Sequence, residues 1–141
     1  MKIYYATSIS GMQSKSSDED NIKLIEHLKN FGEVLTEHFA NPAIKNIGET
    51  EISNKKIHDR DMDWLMTADV IVAEVSNPSL GVGYEIGRAV EHKKKILCLR
   101  RKSNNRLSAM IAGCENLILK EYESLPIALN EINAFFSEIS A

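Results

Sequence analysis

The chain is poor in the residues that constrain small or unusual folds. Its 141 residues include two cysteines, three prolines and one tryptophan, and aromatics make up only 6%. Two cysteines cannot build a disulfide framework, and Cys98 and Cys114 do not stand at a metal-ligand spacing. They read as buried thiols in a reducing compartment. No run approaches the roughly 18 apolar residues needed to span a bilayer, and the opening MKIYYATSIS lacks the apolar stretch of a secretory leader. A cytoplasmic protein without a membrane segment is expected. Neither sign of charge is in excess: the formal net charge is -3, so no broad positive field advertises a nucleic-acid partner. The one basic run, His92-Lys93-Lys94-Lys95, reads as the solvated end of a helix, where cations suit the dipole. Internal repeats, low-complexity tracts and linkers are lacking as well, and a single domain over residues 1–141 is expected.

What is present is an ordinary globular composition, 43% hydrophobic and 26% charged, in an alternating pattern. KIYYA at 2–6 predicts a strand, followed by a Ser- and Gly-rich loop. From about Asp18, Ile22, Leu24, Ile25, Leu28 and Phe31 recur at helical spacing, with Gly32 at the place of a C-terminal cap. EVLTEH at 33–38 predicts a second strand, and 39–49 a loop. Thr50 is expected to cap a helix running to about Thr67, with Ile52, Ile57, Asp61, Trp64 and Leu65 broadly along one side. DVIVAEV at 69–75 reads as a central strand covered on both faces. A helix over about 81–92, a strand KILCL, a short helical stretch at 107–112, a strand NLIL and a last helix over about 125–138 complete the pattern. The alternation predicts an α/β fold: a five-stranded parallel sheet with helices on both faces, a flavodoxin-like or Rossmann-like three-layer sandwich.

Such sheets bind ligands outside the carboxyl ends of their strands. That rule selects the loops after Tyr5, His38 and Val75. The last opens SNPSLGVGYEIGRA, residues 76–89, in which Gly81, Gly83 and Gly87 depart from the dinucleotide spacing G-x-G-x-x-G and follow a middle strand rather than the first. Nicotinamide and flavin are therefore disfavoured, and the glycines suit close packing of helix on sheet. Glu85, which they surround, is either a residue complementing the helix N-terminus or a catalyst. Paired with Asp61 it could divide acid, base and nucleophile roles, as glycoside chemistry requires. Tyr4 is either a core residue or a phenol that orients a carboxylate. His38 has no second ligand at metal spacing, Glu37 being its strand neighbour and facing away, so a metal is not expected. Trp64 and Met110 read as core or pocket wall, and Asp18, Glu19 and Asp20 as first-turn helix acids.

Several segments together resemble the 2′-deoxynucleoside 5′-monophosphate N-glycosidases of the nucleoside 2-deoxyribosyltransferase superfamily. They are YYATSISG at 4–11, FGEVLTEH at 31–38, IHDRDMDWL at 57–65, ADVIVAEVSNPSLGVGYEIGRAV at 68–90, KILCL at 95–99 and LSAMI at 107–111. The resemblance implies hydrolysis of the N-glycosidic bond of 2′-deoxynucleoside 5′-monophosphates through a covalent glycosyl-glutamate intermediate, without a cofactor. It makes Glu85 the nucleophile, Asp61 the proton donor at the leaving base, and Tyr4 a residue that positions Glu85. The helix N-terminus is expected to help keep Glu85 ionised. The implied substrate-binding set is Ala6, Thr7, Ser8, Ile9, Ser10, Gly11, His38, Ser79, Gly81, Ser108 and Met110. In it, Ser8 and the amides of 9–11 reach the phosphate, and Ile9 crowds the place of a 2′-hydroxyl. Ser79, where nucleoside-specific relatives carry an aspartate, favours a phosphorylated substrate. Ser108 would be donated by the partner subunit of a homodimer. Ser10 departs from the family pattern, which commonly has an arginine there; Lys15 could compensate. The competing readings are a transferase that passes the sugar between bases and a nucleotide-binding module without catalysis.

Overall fold

The computed structural model describes residues 1–8, 15–37 and 52–141, with backbone alone at 15–17. The elements in chain order are β1 (Lys2–Thr7), α1 (Lys15–Leu28), β2 (Glu33–Val34), α2 (Asn54–Thr67), β3 (Val70–Glu74), α3 (Leu80–Glu91), β4 (Lys95–Arg101), α4 (Ala109–Ala112), β5 (Ile118–Tyr122) and α5 (Leu125–Ser140). The strands form one parallel sheet in the order β2-β1-β3-β4-β5, the flavodoxin-like order whose switch point lies between β1 and β3. No helix among the described residues is long and apolar enough to cross a membrane.

The period-two alternation of the strands sorts the core into two layers. Ile3 and Tyr5 of β1, Val70 and Val72 of β3, and Leu97 and Leu99 of β4 face α1 and α5. Tyr4 and Ala6, Ile71 and Ala73, and Ile96 and Cys98 face α2 and α3. All five residues of β3 are buried, as expected of a central strand. The α3 helix buries Val82, Ile86 and Ala89, a spacing of three and four that lays one stripe on the sheet.

Several local expectations are corrected. The second strand closes after two residues, because Thr36 takes over the pairing with its side chain: its Oγ1 accepts from the Tyr5 amide at 2.9 Å and donates to the Tyr5 carbonyl at 2.8 Å. Helix α1 ends at Leu28, so Gly32 is not its cap; a Cβ there would stand 2.2 Å from the Met1 carbonyl oxygen, and only glycine permits that approach. Ser53 caps α2, accepting from the Lys56 amide at 3.3 Å, while Thr50 lies outside the described residues. The fifth strand starts at Ile118 rather than Asn116. In the basic run, Lys94 is not merely solvated: its Nζ donates to the carbonyls of Met66 and Ala68 at 2.6 and 2.8 Å and so closes the end of α2. Cys98 is buried, with burial pushing its thiol up to about 12, whereas Cys114 is only half-buried.

Candidate active site

The 75–79 connection leads from the buried end of β3 into α3, and Ser79 turns the chain. Its backbone is extended (φ -151, ψ 123) and its Oγ accepts from the Val82 amide at 3.2 Å, satisfying one of the free N–H groups that open the helix. Glu85 falls in the second turn of α3, beside the stripe that packs on the sheet. A Cβ on Gly81 would stand 3.8 Å from Ser79 Oγ and 4.0 Å from Glu85 Oε1. Ser79, Gly81 and Glu85 therefore share one space, and glycine leaves it open above the carboxylate.

Tyr4 reaches this space from β1 and is fully buried. Its hydroxyl and the Glu85 carboxylate are close enough to perturb each other's ionisation, yet no hydrogen bond of normal geometry closes between them. Tyr4 Oη and Glu85 Oε2 are both buried, and neither makes a hydrogen bond of normal geometry among the described residues. Burial, opposed by the facing Tyr4 hydroxyl and reinforced by the nearby Asp61 charge, pushes the Glu85 carboxyl up to about 7. That corrects the expectation from the helix dipole, which fades beyond the first turn, whereas loss of water acts on Glu85 directly. Burial also drives the Tyr4 phenol far above its usual range, with the charges of Glu85 and Asp61 adding to the effect. Two buried polar groups left facing each other unpaired are costly to the fold.

Asp61 comes from α2, its side chain only 13% exposed. Its Oδ1 accepts from Arg60 Nε at 3.0 Å and lies 2.9 Å from Arg60 Nη2. The same guanidinium sits 4.8 Å from the centre of the Trp64 ring. Sequence reasoning missed Arg60, because neighbouring residues on a helix point apart and only the length of the arginine brings its fork back onto Asp61. On the outer side, Tyr84 Oη accepts from Arg88 Nη1 at 2.8 Å and lies 2.9 Å from His58 Nε2; nothing in the spacing of these residues signalled that cluster.

The remaining expected residues divide. Ala6 is buried on the Tyr4 face and Ser8 is buried just beyond β1. Thr7 belongs to the other face, where it lines a cleft of about 310 Å³ with Asp20, Asn21, Glu74 and Tyr122. Ser79, Ser108 and Met110 line one cleft of about 780 Å³. Ser108 caps α4, accepting from the Met110 amide at 3.3 Å, and Met110 is 82% exposed, a wall residue rather than core. Ile9, Ser10, Gly11 and His38 lie outside the described residues, as does the Lys15 side chain.

Known proteins resemble this chain. A 5-hydroxymethyl-dUMP N-hydrolase of Tetraodon nigroviridis is 46% identical over 127 residues, covering 86% of this chain and 88% of its own. A protein of Nematostella vectensis, provisionally named 2′-deoxynucleoside 5′-phosphate N-hydrolase 1, is 45% identical over 96% of this chain and 95% of its own. Among solved structures, a CMP N-glycosidase of Clostridium botulinum superposes with a TM-score of 0.70 over 96% of this chain and 99% of its own, at 19% identity; that likeness speaks for the fold. The family model for nucleoside 2-deoxyribosyltransferase matches residues 3–125, and the chain belongs to that family.

Proposed function

We propose that the protein is an N-glycosidase that hydrolyses 2′-deoxynucleoside 5′-monophosphates to a free base and 2-deoxyribose 5-phosphate. The observation that carries this reading is the buried Glu85 carboxylate facing the Tyr4 hydroxyl, with no hydrogen bond of normal geometry between them, under the opening that Gly81 leaves. Relatives at about half identity named for the hydrolysis of such nucleotides support it.

In this scheme Glu85 attacks the anomeric carbon as the bond to the base breaks, and the bonding electron pair leaves with the base nitrogen. A glycosyl ester forms; water then attacks the same carbon and frees Glu85. The missing 2′-hydroxyl eases the build-up of positive charge in the sugar. The nucleophile is the ionised carboxylate, and a Tyr4 O–H turned toward it as substrate displaces water would hold it in line. Asp61 takes up a proton from solvent before turnover and delivers it to the leaving base. Ser8 and Ser79 serve the phosphate, with Ile9, Ser10 and Gly11 continuing that loop and His38 and Met110 bordering the base. We place the working form as a cytoplasmic homodimer in which Ser108 reaches the partner's site. The 97% exposed Leu80 and 82% exposed Met110 beside the 780 Å³ cleft support such an interface.

The test is a substrate panel read by release of free base: deoxy- and ribonucleotides, with and without the 5′-phosphate, beginning with 5-hydroxymethyl-dUMP. Deoxynucleotides should be cleaved and the others should not. Because the family model describes a transferase, the same assay with an excess of foreign base decides between resolution by water and by base. Free sugar phosphate indicates hydrolysis, and a new nucleotide indicates transfer.

A further inference from the structure

The end of β4 and the loop after it carry four cations, and three of them are committed. Arg100, its side chain 12% exposed, donates to the Asn105 carbonyl and lies 3.8 Å from Glu121. Arg101 pairs with Asp20 and sits 5.0 Å from the Tyr122 ring centre. Lys102 lies 3.2 Å from Glu123. Arg106 alone is exposed with no acidic partner among the described residues, and it lines the 780 Å³ cleft together with Ser76, Asn77, Ser79, Asn105 and Ser108. Its flanks are fixed. Arg100 holds the Asn105 carbonyl, the Asn105 amide donates to Ser103 Oγ at 3.1 Å, and Ser108 caps α4.

The cleft has an apolar wall, with Val82, Ile86, Leu107 and Ile111 in it, and a rim of hydroxyls and amides beside one uncommitted guanidinium, where an oxyanion fits. The guanidinium fork matches phosphate with two parallel N–H bonds. Holding its loop beforehand reduces the ordering lost on binding. The chain as a whole is negative, so a dianionic substrate needs a local cation to enter at all. We propose that Arg106 is the cation that binds the 5′-phosphate of the substrate, in the cleft it shares with Ser79. This assignment rests on the nucleotide hydrolase reading and adds to it the residue that sets the preference for phosphorylated over free nucleosides.

The experiment compares wild type, Arg106→Gln and Arg106→Lys. Kinetics are measured on a deoxynucleoside 5′-monophosphate and its nucleoside, and binding of 2-deoxyribose 5-phosphate is followed by calorimetry, which needs no turnover. In Arg106→Gln, KM for the nucleotide should rise about 10- to 100-fold, the worth of a hydrogen bond to a charged group, with kcat within about threefold. The nucleoside should stay uncleaved by wild type and variant alike, and the sugar phosphate should bind more weakly by the same factor as KM. Arg106→Lys should recover part of the loss, since it keeps the charge and loses the fork. Unchanged KM and unchanged sugar-phosphate binding in Arg106→Gln would overturn the assignment. A wild type that binds the sugar phosphate through Arg106 but cleaves no deoxynucleotide would overturn the hydrolase reading and leave the phosphate site standing. Neither binding nor cleavage would overturn both.

Discussion

Two tyrosine–glutamate pairs sit at the carboxyl edge of the same sheet, on opposite faces, in opposite states. On the α1/α5 face, Glu74 is buried and its hydrogen bonds are made: Oε1 accepts from the Ser76 amide at 2.6 Å and Oε2 from the Tyr122 hydroxyl. The network continues from Ser76 Oγ to the Arg101 amide at 2.7 Å and through the Arg101 guanidinium to Asp20 of α1. On the α2/α3 face, Tyr4 Oη and Glu85 Oε2 are buried and make no hydrogen bond of normal geometry among the described residues. In both pairs burial pushes the carboxyl upward. A raised carboxyl therefore does not by itself identify a catalyst. The satisfied pair ties the 75–79 connection to three strands and a helix.

The sharpest way to break this contrast is to neutralise each acid. Glu85→Gln should lower hydrolysis on the order of 10⁴-fold or more, as loss of a covalent nucleophile does, while the protein stays folded. Turnover within tenfold of wild type would remove Glu85 from the nucleophile role. Tyr4→Phe should come next, costing about 10²-fold in kcat with little change in KM, the loss expected for one preorganised donor.

Activity in the wild type should follow the ionisation of Glu85. Below about pH 7 it should fall roughly tenfold per pH unit, because the protonated acid is no nucleophile. Stability should move the other way. A carboxyl raised from 4.5 to about 7 on folding makes the native state bind more protons than the unfolded chain between those values. Its contribution is then fully present below about 4.5 and is lost as pH rises through about 7. Urea midpoints across that window should show the decline in wild type and a smaller one in Glu85→Gln. An equal decline in both would assign it to another group.

Glu74→Ala attacks the satisfied pair. It strands the Ser76 amide and the Tyr122 hydroxyl, a loss of about 1–3 kcal/mol of stability for buried groups left unmade. Activity should fall less than tenfold, because Glu74 touches the connection and not the substrate. A catalytic loss as deep as that of Glu85→Gln with normal stability would erase the distinction between the two faces.

Only the α2/α3 side of this contrast is legible in the sequence, and the parts that are not have physical causes. Strand and helix order were legible because hydrophobic period carries them, and Glu85 was legible because it follows the most apolar strand. Its ionisation was misjudged, since sequence position reports a helix terminus but not how much water the fold removes. Glu74 lies inside DVIVAEV, but its partner Tyr122 stands 48 residues away, and no local pattern encodes such a pairing. The brevity of β2 was hidden for the same kind of reason: EVLTEH is a sound strand pattern, and only the fold shows the Thr36 hydroxyl replacing the backbone in it. Arg60 was hidden by a sound rule about helix neighbours that a long side chain evades.

The smallest effect separates the two tyrosines most cleanly, because the same substitution should act with opposite sign. Tyr122→Phe deletes a donor to a buried carboxylate and should lower stability by about 1 kcal/mol or somewhat more. Tyr4→Phe deletes a buried hydroxyl that makes no hydrogen bond of normal geometry, so burying the remaining ring costs no more than before and the desolvation of the hydroxyl is relieved. Stability should hold or rise by up to about 1 kcal/mol, even as catalysis is lost. Urea midpoints measured with unchanged m-values would resolve the difference. If both variants lose stability alike, Tyr4 is bonded in solution and the open pair is not open. If Tyr4→Phe gains stability while losing turnover, the fold is carrying an unsatisfied hydroxyl at the place where its reaction requires one.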